Sequence, residues 1–147
     1  MCFNDTFCFS VGNFLIWRLY HQGAYPYPIE NPLDGQTIPL ILIGGAIKQP
    51  LVVDTYASQI DIAATLLAQL GLPHDEFTFS KNILNPGSPH FAYFTRPDYF
   101  GMITADNQLV YNLDANTVQL DEGTAKGANL EKGKAFLQKL YDDLAKR

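Results

Sequence analysis

The chain has 147 residues and carries 10 Lys and Arg against 15 Asp and Glu, a formal net charge of −5. The length suits one domain able to bury its own core, and 47% hydrophobic with 17% charged residues excludes a disordered or collagen-like chain. The negative charge is spread along the sequence with no basic stripe to track a phosphate backbone, which argues against a nucleic-acid partner.

Cys2 and Cys8 open the chain with five residues between them, a spacing that fits neither a zinc site nor a disulfide framework. The apolar stretch from Phe7 to Trp17 is interrupted by Ser10, Gly12 and Asn13 and follows a start without Lys or Arg, so it lacks the positive region of a signal peptide. No apolar run approaches the roughly 20 residues needed to span a bilayer. Phe14 to Trp17 reads as a short buried strand running into a loop with His21, Gly23, Pro26, Pro28, Pro32 and Gly35. Ile38 to Ile43 is a continuous apolar run ending at Gly44-Gly45, the pattern of a central strand covered on both faces.

Ser58 is a good N-cap, Asp61 stands where a carboxylate favours the helix start, and Ile62, Leu66, Leu67 and Leu70 follow at helical spacing until Gly71 and Pro73 stop the helix. Phe91 to Thr95, Gly101 to Thr104 and Leu109 to Leu113 read as three strands of a small antiparallel meander, with Asp106-Asn107 as a tight turn. After a linker at Gly123 to Gly127, Asn129 can cap a last helix with Leu130, Leu137, Leu140, Tyr141 and Leu144 on one face. The order of elements argues a mixed α/β or α+β domain.

Short motifs for phosphate loops, nucleophile elbows and zinc proteases are absent. His21 follows a predicted strand at its C-terminal end, where α/β sheets collect ligands and catalytic groups; it is a candidate metal ligand or acid/base, while a loop histidine without either role is the plainer reading. His74 and His90 read as loop and strand-opening residues. Capping outweighs catalysis for Asp61, and Asp54, Asp34 and Glu30 read as solvated loop carboxylates. Tyr25-Pro26-Tyr27-Pro28 either lines a groove or packs on a sheet edge.

The strand leading into His21 and Tyr25-Pro26, the run from Ile38 to Gly45, Ser58 to Leu67, Leu70-Gly71-Leu72-Pro73 and Phe79 to Leu84 together resemble the C-terminal part of sulfatase-type enzymes of the alkaline phosphatase superfamily, especially lipoteichoic acid synthase-like phosphoglycerol transferases. The resemblance covers roughly residues 20 to 125. Its most specific string surrounds Asp61, where family members carry Asp-x-x-Pro-Thr-Leu-Leu and this chain has Ala64 in place of the Pro. It implies a partial alkaline-phosphatase-like α/β fold, a mixed sheet with flanking helices and a small C-terminal antiparallel meander. Residues 1–20 then form an atypical N-terminal segment, 21–125 the C-terminal subregion of a sulfatase-like domain, and 126–147 the terminal helix.

The resemblance also implies chemistry. Family enzymes use a Thr, Ser or modified Cys nucleophile beside manganese, magnesium, zinc or calcium, acting on a phosphate or sulfate ester through a covalent intermediate. Two late metal ligands sit in Asp-His-Gly before a strand beginning Ile-Pro, which aligns His21 with the metal-ligating His. Tyr20 stands where the Asp would be, and Gln22 where the Gly would be. A phenol serves a hard cation poorly. The nucleophile-bearing half has no counterpart here, so the sequence predicts a C-terminal fragment, from a truncated or frame-shifted gene, inactive alone, with no catalytic residue of its own. The opposing reading is a non-catalytic α/β binding or structural module. A half-domain with an exposed sheet edge also predicts self-association. Family members are membrane-anchored with the catalytic domain outside the cytoplasm, but with no anchor in this sequence the localisation does not carry over.

Overall fold

The computed structural model describes residues 14–20, 31–33, 36–43 and 50–147. Two sheets and two helices account for them. In the first sheet β1 (Phe14–Tyr20) lies between β2 (Thr37–Ile43) and β3 (Leu51–Val53). β1 pairs antiparallel with β2, from Phe14 opposite Ile43 to Tyr20 opposite Thr37. It pairs parallel with β3, with Leu15 beside Leu51 and Trp17 beside Val53. All three strands are rich in the β-branched and aromatic residues that suit a pleated surface.

The run from Ile38 to Ile43 is thus an edge strand of the described sheet, where its composition predicts a central one. Pro39 explains the difference: it has no N–H for a second ladder, which confines it to an edge. Only one face of β2 is packed. Ile38 and Leu40 join Val53, Ala57, Ile62, Ile83 and Leu84 in a small core, while Ile41, pointing the other way, is 54% exposed.

Beyond β3 a single 3₁₀ turn (Gln59–Asp61) leads into α1 (Ile62–Gln69). The helix ends as the sequence predicts. Gly71 takes φ +68, its N–H donates to the Ala68 carbonyl, and the Leu72 N–H donates to Leu67, which is the Schellman arrangement. Its buried side is rotated from the predicted one, with Ile62 still packed and Leu67 half-buried. Asp61, Ala64 and Thr65 are buried, whereas Leu66 and Leu70 are exposed. Hydrogen bonds to the segment 80–83 hold the polar face inward, overriding the apolar spacing.

The second sheet is an antiparallel meander of β4 (Ala92–Thr95), β5 (Tyr99–Ile103), β6 (Asn107–Asn112) and β7 (Thr117–Gly123). The predicted three strands are present, and β7 adds a fourth. Strict alternation buries both faces. Tyr93, Phe100, Met102, Leu109 and Tyr111 pack with Leu137 and Phe136 of α2 (Leu130–Leu144). Ala92, Phe94, Ile103 and Val110 point the other way and pack with Leu33, Tyr56, Tyr99 and Leu120. Two glycines let rings approach the backbone closely. A Cβ on Gly101 would meet the Phe94 ring at 2.2 Å, and one on Gly133 of α2 would meet the Phe100 ring at 2.2 Å.

Asn129 occupies the N-cap position of α2, but its side chain turns into the meander. Its amide donates to the carbonyls of Asn107 at 2.6 Å and Met102 at 3.2 Å, and to Thr104 Oγ1 at 3.1 Å. Its backbone N–H donates to Asn107 Oδ1 at 3.0 Å. The expected cap is in fact the peg that fixes the helix on the sheet.

Candidate functional site

Because β1 and β3 run parallel, their C-terminal ends lie at the same end of the first sheet, where ligands collect in α/β folds. Tyr20 closes β1 and pairs with Thr37, which brings Gln36 to that end, and Asp54 and Thr55 follow β3 there. His21 comes directly after Tyr20 in sequence but lies outside the described residues, as do Glu30, Asp34, Tyr25 to Pro28, and Cys2 and Cys8.

Gln36 is 1% exposed. Its amide nitrogen donates to the Tyr99 hydroxyl at 3.4 Å, and its Oε1 has no hydrogen-bond partner among the described residues. Arg96, in the turn between β4 and β5, donates its backbone N–H to the Tyr99 carbonyl at 2.7 Å and places its guanidinium 5.9 Å from the Tyr99 ring centroid. The buried Arg96 Nε and Thr55 Oγ1 are likewise without partners among the described residues. Buried polar atoms are nearly always paired; among the described residues these three, with the Tyr93 hydroxyl and Asn129 Oδ1, are the exceptions. No short motif announces Gln36, Arg96 or Tyr99 in the sequence, because 60 or more residues separate Gln36 from the other two and only the packing of one sheet on the other joins them.

Asp61 forms a second polar cluster. Its carboxylate is fully buried and accepts the Ser58 N–H at 2.8 Å, the Lys81 N–H at 3.1 Å and the Lys81 ammonium at 2.5 Å. Thr65 Oγ1 donates to the Asp61 carbonyl at 2.7 Å and accepts the Ile83 N–H at 3.2 Å. Ser80 Oγ accepts the Ala64 N–H at 2.9 Å, and Ser58 Oγ accepts the Tyr93 N–H at 2.6 Å. Burial pulls the Lys81 pKa down, and the Asp61 charge opposes that shift. The Lys81 ammonium also stands 4.2 Å from the Phe91 ring centroid. With both carboxylate oxygens engaged, Asp61 has the capping role its position at the helix start predicts, and the cluster around it reaches two further segments. The string Asp61 to Thr65 is therefore a fastener between the start of α1, the segment 80–83 and β4.

His74 is half-buried in the loop after α1 and His90 is exposed ahead of β4. Among the described residues no three His, Cys, Asp or Glu side chains gather where they could hold a metal ion. At the C-terminal end of the first sheet they offer the neutral oxygens of Gln36 and Thr55 and the exposed carboxylate of Asp54, a set that does not by itself fit a hard divalent cation. No described helix is long and apolar enough to cross a membrane.

No protein-family profile and no curated protein matches the sequence. Among solved structures the fold is similar to that of a protein in the alkaline phosphatase superfamily from Vibrio parahaemolyticus, with a TM-score of 0.61 and 22% identity. The match covers 88% of this chain and 35% of that one, so the chain spans about a third of the solved protein's length. The mixed α/β architecture expected from the sequence is thus that of part of an alkaline-phosphatase-like domain.

Proposed function

We propose that the chain is the C-terminal part of a metal-dependent enzyme of the alkaline phosphatase superfamily acting on phosphate or sulfate esters, of the phosphoglycerol transferase type, and that these 147 residues alone turn nothing over. The observation that carries this reading is the likeness of fold over 88% of the chain to a third of a protein in that superfamily. It is joined by the place of His21 in the sequence, directly after the strand end where such folds gather ligands. His21 is the one residue assigned to the metal, with manganese, magnesium, zinc and calcium as the candidate ions. His21 would hold such an ion, which would supply Lewis-acid activation of the ester and of the nucleophile.

Calorimetric titration of the chain with each of the four ions tests the assignment without relying on activity. Weak binding is expected that His21→Ala abolishes and Tyr20→Asp tightens, because a carboxylate replaces a phenol beside the imidazole. Nitrophenyl phosphodiester and sulfate ester substrates should remain intact. Binding indifferent to both substitutions would remove His21 from the metal, and turnover by the isolated chain would contradict the reading of an incomplete enzyme. An absence of binding in all three proteins would favour the non-catalytic module.

A further inference from the structure

The buried polar atoms without partners among the described residues fall into two places. The Tyr93 hydroxyl lies in the core that α2 closes, and Asn129 Oδ1 belongs to the residue that pegs that helix to the meander. Gln36 Oε1, Thr55 Oγ1 and Arg96 Nε instead lie around Tyr99. Gln36 meets the Tyr99 hydroxyl, the Arg96 guanidinium stands over the Tyr99 ring, and Thr55 directly precedes Tyr56, which packs in the same apolar cluster as Tyr99.

Arg96 differs from the other half-buried cations. Lys81 and Lys134 stand beside carboxylates, Asp61 at 2.5 Å and Glu131 at 3.9 Å, whereas Arg96 has none among the described residues. That is so in a chain with 15 Asp and Glu to 10 Lys and Arg, where a counter-charge from within is readily supplied. A buried guanidinium N–H left unmatched is costly, and the guanidinium fork suits two oxygens of one anionic group. The neighbouring groups are sorted around it. The Tyr99 hydroxyl accepts the Gln36 amide N–H at 3.4 Å, which leaves its own proton to donate, and Thr55 can donate as well. Gln36 Oε1 can only accept, so its match is a hydroxyl and not a second anionic oxygen. The donors come from three places, the β4–β5 turn, β5 and the end of β3, a spread that suits the oxygens of a tetrahedral group better than those of a planar carboxylate.

We infer that Gln36, Thr55, Arg96 and Tyr99 bind a small hydroxylated phosphate or sulfate, with its anionic group on Arg96 and the Tyr99 and Thr55 hydroxyls and its own hydroxyl on Gln36 Oε1. The β4–β5 turn thereby gives the meander a part in ligand binding at the C-terminal end of the first sheet. The inference stands on these four side chains and needs neither a metal nor cleavage of an ester.

The test is a titration of the full chain followed by NMR, in EDTA so that no metal takes part, with methyl phosphate, glycerol phosphate and acetate. Both phosphates should shift the amide signals of Thr55, Arg96 and Tyr99 and leave those of Leu109 to Tyr111 in place. Arg96→Gln should weaken both about 10-fold to 100-fold, the span expected for hydrogen bonds to a charged group. Arg96→Lys should recover part of the loss, because lysine keeps the charge without the fork. Glycerol phosphate should bind up to about tenfold more tightly than methyl phosphate, and Gln36→Met should remove that advantage while leaving methyl phosphate as it was. Unshifted amides, or shifts indifferent to Arg96→Gln, would overturn the inference, since Arg96 would then have its counter-charge within the chain. Acetate binding more tightly than methyl phosphate would overturn it too. Metal titration without EDTA reads the ester hypothesis separately, so either can fail alone.

Discussion

The two sheets answer the same physical demand in opposite ways. The meander of β4 to β7 buries side chains on both faces, closes one of them with α2, and pins that helix through Asn129. The sheet of β1 to β3 packs Ile38, Leu40 and Val53 on Ile62 of α1 and the segment 83–84, leaves Ile41 and Val52 about half exposed, and ends in a strand of three residues. Apolar burial is worth about 25 cal/mol per Å², so a layer closed on both faces holds itself while a layer closed on one leans on its neighbours. Leu33 and Tyr56, next to β2 and β3, pack on the meander, and polar bonds join the two as well. The Ser58 hydroxyl takes the Tyr93 N–H, and the Asp61 carboxylate takes the Ser58 N–H.

Breaking that junction should have the largest effect. Asp61→Ala leaves the Lys81 ammonium buried with its counter-charge gone, a situation that costs about 3–5 kcal/mol. Urea denaturation of the variant should show that loss, with the tyrosine and phenylalanine near-ultraviolet dichroism of the meander melting after the first sheet. A simultaneous loss of both signals would place the junction inside a single cooperative unit.

The meander can be attacked directly at Gly133. In an ordinary exposed helix Gly→Ala stabilises by about 1 kcal/mol. At Gly133→Ala the added methyl meets the Phe100 ring, so the sign should invert to a destabilisation of about 1–3 kcal/mol. A thermal melt that moves upward would show the helix standing off the sheet.

Asp121 sharpens the contrast through pH. The Gly127 N–H and then the Asn107 amide hold its pKa below 3.8, through hydrogen bonds of 3.0 and 2.7 Å. A carboxyl whose folded pKa is lowered stabilises fully above its unfolded value and loses that contribution as pH falls through the folded one. The 121–129 turn should therefore loosen only below about pH 4. Asp121→Asn, which keeps an acceptor but cannot titrate, should flatten this part of the melting-temperature profile.

The smallest effect is expected at Tyr93. Its ring stacks on Phe100 at 5.8 Å between centroids, but its hydroxyl is buried with no partner among the described residues. Removing an unpaired buried hydroxyl is close to neutral. Tyr93→Phe should thus change stability by no more than about 0.5 kcal/mol, in the stabilising direction.

Local signals carried far in this sequence. Gly71 after a helical run marked the C-terminus of α1, and the alternation from Phe91 to Leu113 marked the meander; of the face read for α2, Leu130, Leu137 and Leu140 turn inward while Tyr141 and Leu144 are exposed. The misread elements are those whose partners are distant in sequence. Leu66 and Leu70 advertise an apolar face, yet Thr65, Ala64 and Asp61 turn inward because Ser80, Lys81 and Ile83 meet them there. β7 was hidden because it is a polar edge strand, with only Val118 and Leu120 to suggest alternation. Gln36, Thr55 and Arg96 had no signature, since their common feature, buried hydrogen-bonding atoms without partners among the described residues, exists only after the chain packs.

Native-state hydrogen exchange on the isolated chain tests the central contrast most directly. The amides of Phe100 to Ile103 and Leu109 to Tyr111 should exchange only through global unfolding, while those of Leu51 to Val53 and their β1 partners exchange through a smaller, less costly opening. Equal protection of both sheets would show that the first layer is complete as it stands, and would contradict the account.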